Sequence, residues 1–252
     1  GGEIRGQLAA ATENDIEIAG NVTSGAGDKF VTDMRVFNPS ATNKAVALVE
    51  FLVASGGGNT NATASKTLEI PPRGEAVLDD VTGPNGLNSA GTTGAIRITS
   101  NVGLLASSNI FNDQRGATPN RGTFGQFVPA IARSNALRKG VILHLANKTR
   151  DLANPSGFRT NLGFFNPNQT AVTVAMTLRD AAGTSLGTNT VGLAGWSQQQ
   201  GAITTYFPSV DLSNASGLTV SFDASLPIHG YGAVNDNVSG DSILVPAQAD
   251  TP

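Results

Sequence analysis

Side chains alternate between core-forming and polar at every second position over short stretches, and proline, glycine or Asn/Asp clusters separate these stretches. Phe30, Thr32, Met34 and Val36 alternate with Val31, Asp33 and Arg35, and Asn38-Pro39 follows. Phe158, Thr160, Leu162 and Phe164 alternate with Arg159, Asn161 and Gly163 ahead of Asn166-Pro167. A period of two predicts a strand with one buried face. Asn-Pro then ends it, because proline removes a ladder donor and forces its neighbour out of regular geometry. No segment sustains a helical period. Single helical turns are expected only near residues 79–87 and 207–214.

The two motifs belong to an internal repeat. Ala45, Ala47, Val49 and Phe51 match Val172, Val174, Met176 and Leu178 after a one-residue adjustment. Gly94–Ile98 matches Gly217–Ser221, and Ile110-Phe-Asn-Asp113 matches Ala233-Val-Asn-Asp236. Each copy closes on a short strand and a proline, Phe124–Pro129 and Ser242–Pro246. Upstream, Asp15–Asn21 and Val141–Asn147 are matching first strands. About seven or eight short strands in roughly 115 residues is the pattern of an antiparallel β-sandwich. The expected fold is all-β, two tandem sandwiches at 15–134 and 135–250 behind an N-terminal arm at 1–14. The more polar stretch Ala130–Lys139, with Arg133 and Arg138, reads as the linker.

Phe158–Pro167, Asp79-Asp80-Val81, Gly122–Pro129 and Asn235-Asp236 resemble recurring phrases of immunoglobulin-like β-sandwich domains of secreted, multidomain bacterial proteins. The resemblance covers nearly the whole chain beyond residue 14. It implies an immunoglobulin-like fold and a secreted or cell-surface setting, and it brings no catalytic residues with it.

Composition narrows the functions. Only 14% of the 252 residues are charged and the net charge is −3, which argues against nucleic acid as a partner. Without cysteine, disulfides, thiolate metal sites and cysteine nucleophiles are excluded. The longest apolar run, Ala45–Ala54, is about half the ~20 residues of a membrane span. The Gly1-Gly2 start and the Ser/Thr/Asn/Gly-rich surface fit a processed, secreted chain.

Candidate chemistry is sparse, and no enzyme, metal or cofactor is expected. His144 and His229 lie in predicted strands with no nucleophile motif beside them, so both read as histidines on a polar strand face. Asp79 and Asp80 are adjacent and suit a turn cap better than a catalytic carboxylate pair. Asn235–Asp241 has the oxygen-rich spacing of a calcium loop but lacks its closing glutamate, and reads as a hairpin. Ser55-Gly-Gly-Gly-Asn59 lacks the Gly-Lys-Ser/Thr of a phosphate loop.

Two functions remain. In the first, the chain is a structural or adhesive subunit that polymerises head to tail with itself. Ile4, Gly6, Leu8 and Ala10 share one face of an extended arm that can be donated to a neighbour as a strand. Val46, Leu48 and Leu52 give the strand at 45–52 a second apolar face, suited to a subunit contact. In the alternative, the chain is a carbohydrate-binding module. Trp196, Tyr206 and Tyr231 would form its sugar platform, and polysaccharide would be its partner.

Overall fold

A computed structural model describes residues 9–23, 29–116 and 122–250. The chain divides into two compact units. Unit 1 closes at Ala136 and unit 2 opens at Leu137, with the turn Ser55–Gly58 counted in unit 2.

Unit 1 contains β1 (Ala11–Thr23), β2 (Lys29–Phe37), β3 (Ala45–Val53), β4 (Ala64–Ile70), β5 (Glu75–Leu78), β6 (Thr92–Asp113), β7 (Thr123–Pro129) and β8 (Ile131–Ala132). Unit 2 contains β9 (Leu137–Lys148), β10 (Phe158–Asn166), β11 (Val172–Arg179), β12 (Ser185–Leu193), β13 (Ser197–Ala202), β14 (Asn214–Asp236), β15 (Ser242–Pro246) and β16 (Gln248–Ala249). One α-helical turn, α1 (Ile203–Tyr206), precedes the stretch 207–214 where the sequence predicts one, and a 3-10 turn spans Arg133–Asn135. Residues 79–87 form non-helical turns instead of the expected helical one.

All pairings are antiparallel, and the repeat is written in them. In unit 1, β6 pairs with β1, β2, β3 and β7. In unit 2, β14 pairs with β9, β10, β11 and β15. The outer pairs β3–β4 and β2–β5 recur as β11–β12 and β10–β13. Even the short closing strands β8 and β16 return to the first strand of their own unit.

Sequence alternation divides β6 and β14 into separate short strands. Each is a single strand, of 22 and 23 residues, that changes partners along its length. Residues 94–100 of β6 face β3, whereas 105–112 face β2. The register also corrects the alignment of the repeat here. Phe30 lies opposite Asn112 and Phe158 opposite Asp236, so Ile110 corresponds to Val234 rather than to Ala233. The arm is shorter than expected as well, because Ala11, Glu13 and Asn14 already pair with β6 of their own unit.

The predicted inward faces form the core. Ala45, Ala47, Val49 and Phe51 are fully buried, and Val172, Val174, Met176 and Leu178 nearly so. In unit 2, side chains from β9, β10, β11 and both halves of β14 join one cluster. There Phe164 meets the edges of Tyr206 and Phe222, with ring centroids 6.0 and 5.7 Å away.

The shared threonine of the two motifs explains how β1 and β9 are held where the backbone ladder is interrupted. Thr32 Oγ1 donates to the Gly20 carbonyl at 3.0 Å and accepts from its N–H at 2.8 Å. Thr160 makes the same two-way bond with Ala146. Both threonines are buried, so losing a hydroxyl leaves a backbone donor and acceptor unsatisfied at about 1–3 kcal/mol. Thr32→Val and Thr160→Val are expected to lower stability by about that amount in urea unfolding, while Thr→Ser retains most of it.

Candidate functional site

The strand ends at the β14–β15 hairpin form an open, partly apolar hollow. Val234 lies opposite Ile243, and Asn235 opposite Ser242. Phe158 on β10 sits across from Asp236. Together they surround a hollow of about 250 Å³ with Phe158, Val234 and Ile243 as apolar walls and Asp236 and Asp241 at its rim. Ile243 is 59% exposed and Phe158 50%, and Val238 at the hairpin tip is also exposed.

The equivalent place in unit 1 is lined differently. By the same register Ile110 takes the position of Val234, and its partner Gln126 takes that of Ile243. Gln126 and Asn112 are buried there. An exposed isoleucine in one copy where the other buries an amide is a local departure from the shared fold, not a consequence of it.

Turn geometry sets the rim charge. Asp236 accepts from the Val238 N–H at 2.9 Å and from Ser239 Oγ at 2.8 Å. These bonds hold its carboxyl below the usual carboxylate range. The loop is the expected hairpin, closed by Asp236 N–H to the Asp241 carbonyl at 2.8 Å. No group of three or more His, Asp or Glu side chains is positioned to hold a metal among the described residues.

The other candidate residues fall apart as groups. Ile4, Gly6 and Leu8 lie outside the described residues, and Ala10 is exposed just before β1. Val46 and Leu48 are exposed on β3 at 41% and 38%. Leu52, assigned to the same face, is fully buried instead. Opposite it sits Ala95, which is also closed off from solvent. Moreover, β3 is paired on both sides, by β4 and β6, so it cannot accept a further strand.

The sugar platform does not assemble. Tyr231 is fully buried, and its hydroxyl is held between Gln198 Nε2 and Gln200 Oε1 at 2.8 Å each. Tyr206 is 3% exposed and burial pushes its phenol up to about 12. Trp196 alone stays half-buried, in a turn with φ +47°. Sequence alternation does not separate these rings, since a tyrosine suits either face.

The histidines correct the polar-face reading in part. His229 is buried and stacks on Phe165, with centroids 6.1 Å apart. His144 is exposed, but on an irregularity of β9 with φ +58°. Asp79 pairs with Arg35 at 2.7 Å, whereas Asp80 accepts from Asn21 Nδ2 at 2.6 Å. The basic residues of the expected linker are each tied to one unit. Arg133 grips Asp15 through Nη2 at 2.8 Å and Nε at 3.2 Å, and Arg138 donates to the Ser225 carbonyl.

The chain matches no known family and no curated protein sequence. Among solved structures it is similar to Thermotoga maritima 1070, at 9% identity and a TM-score of 0.35, covering 44% of this chain and 94% of that one. A structure of infectious bursal disease virus, Gx strain, aligns over 96% of this chain and 76% of its own, at 10% identity and a TM-score of 0.20. A Bacteroides uniformis beta-glucuronidase aligns over 93% of this chain and 25% of its own, at 8% identity and a TM-score of 0.17.

Proposed function

We propose that the chain is a non-catalytic structural subunit of an extracellular or cell-surface assembly, built of two immunoglobulin-like β-sandwich units. Copies join when the N-terminal arm of one adds as a strand to β15 of the next. The single feature carrying this reading is the apolar mouth at β15. That strand pairs with β14 alone among the described residues, and Ile243 and Phe158 stand exposed beside it.

The arm suits this edge chemically. Its apolar face (Ile4, Leu8) matches the apolar walls Phe158, Val234 and Ile243. Strand addition draws affinity from backbone bonds and register from alternate side chains. Donor and acceptor differ, so the contact is heterologous and propagates unless it closes into a ring.

Sedimentation velocity over a concentration series tests this reading. Full-length protein should form a ladder of oligomers. Deletion of residues 1–10 and the Ile243→Asp variant should each give folded monomers by circular dichroism. A full-length chain that stays monomeric at high concentration overturns the reading. So does an assembly that Ile243→Asp leaves intact. Polysaccharide binding abolished by Trp196→Ala would move the function to the sugar-binding alternative.

A further inference from the structure

β1 carries a bulge between Ile16 and Ala19, where three steps along the strand oppose two along β6. β9 has a bulge of the same count between Ile142 and Leu145, opposite Val220 and Leu218, although His144 takes φ +58° there and its counterpart Ile18 does not take a positive φ. The matching bonds of Thr32 to Gly20 and of Thr160 to Ala146 fix the equivalence one residue beyond each bulge. Glu17 therefore occupies the position that Leu143, half-buried, fills in unit 2. The bulge does not need a carboxyl there.

Glu17 is nevertheless fully buried, and neither carboxylate oxygen has a hydrogen-bond partner. Its charged surroundings offer little compensation. On β1, Asp15 is fully buried and engaged by Arg133, which also holds Glu13 at 3.1 Å. On β6, Arg97 is committed to Glu50 of β3 at 2.8 Å. On β2, Arg35 is taken by Asp79, Asp33 accepts from the Asp80 N–H, and Lys29 lies opposite Thr23 at the far end of β1. β7 and β8 carry no charged side chain. An ionised carboxylate without a partner in such a place costs several kcal/mol, so the group keeps its proton instead.

We propose that Glu17 is a proton-operated latch on unit 1: its neutral carboxyl lets the β1 bulge dock on β6, and loss of that proton undocks β1. The proposal is independent of the assembly reading. Burial first, and then the negative charge of Asp15, raise the Glu17 pKa from 4.5 to about 8. Below 4.5 the group is protonated in both the docked and the undocked chain, and its contribution to the docked form is complete. Between 4.5 and about 8 the undocked chain releases the proton and the docked strand does not, so stability falls as pH rises. Above about 8 the loss is complete.

The test compares the full chain with Glu17→Gln and with Glu17→Leu, which copies Leu143. Far-ultraviolet circular dichroism follows urea unfolding of both units, while Trp196 fluorescence follows unit 2 alone. The unfolding constant of unit 1 should rise about tenfold per pH unit within the window for the native chain. Both variants should lose that rise, and unit 2 should show none that depends on residue 17. At pH 6 the infrared spectrum should contain a protonated carboxylic-acid band that Glu17→Gln removes. An absent band, or a pH slope that survives in both variants, overturns the latch.

Discussion

Replacing Asn166 with alanine should destabilise unit 2 by about 3 kcal/mol, and Asn38→Ala should do the same to unit 1. These asparagines end the repeated motif and are fully buried. Asn166 Nδ2 shares its hydrogens among the carbonyls of Thr170, Ala194 and Leu193 at 2.8, 3.0 and 3.3 Å. Asn38 Nδ2 does likewise with Asn43, Ile70 and Pro71 at 2.8, 3.1 and 3.2 Å. Each Oδ1 accepts the backbone N–H two residues on, at Asn168 and Ser40. One amide thus ties the end of the motif strand to its own turn and to the far end of the hairpin that follows. Alanine would leave these carbonyls unsatisfied. Aspartate keeps the acceptor but aims a negative oxygen at them, so Asn166→Asp should be at least as harmful at neutral pH. It should partly recover as pH falls toward about 4, because burial among carbonyls raises the acid above its ordinary pKa and the folded chain regains a proton to donate before the unfolded chain does. Urea midpoints across pH check both statements. A shift under about 1 kcal/mol for alanine would remove the amide from its role.

Gly163→Ala should cost unit 2 about 3 kcal/mol, at or beyond the upper end of ordinary overpacking. A methyl group there would sit 2.0 Å from Tyr231 Cζ and 2.4 Å from its hydroxyl oxygen. The ring has no room to retreat, being fully buried with its hydroxyl bonded to Gln198 and Gln200. The interaction reverses sign if the ring is removed. In a Tyr231→Ala background, Gly163→Ala should become neutral or stabilising by about 0.5–1 kcal/mol, because alanine restricts the unfolded chain more than glycine does. A penalty that persists without the ring would place the strain elsewhere in the strand.

Local pattern carries much of this architecture. Alternation locates β2, β3, β10 and β11, and the Asn-Pro stops end β2 and β10 correctly, because a one-sided strand imprints its buried face on every second residue. The long strands are not legible. Where β6 passes from one set of partners to the other, both faces change environment and the alternation loses its phase. Leu52 reads as an outward residue for a related reason: parity gives the face, not what covers it. Glu17 escapes notice because a charged residue within Asp15–Asn21 reads as an ordinary solvent-facing position. Its burial comes from the bulge, which period-two reasoning does not contain. The mouth at β15 is hidden too, since Ile243 fits a strand core equally well until its neighbours are known.

The late position of β6 has a consequence for biogenesis. β1 leaves the ribosome ahead of β6, but most of its partners lie at residues 92–104, and β9 must likewise wait for β14. During that interval two first strands with a bulge of the same count and the same threonine bond are unpaired, or nearly so, and either long strand offers a ladder of matching register. Neighbouring nascent chains on one message are therefore exposed to strand exchange, as repeat proteins generally are. The side chain at the bulge distinguishes the two by charge alone, since an ionised Glu17 is disfavoured in a closed seat whereas Leu143 is indifferent to pH.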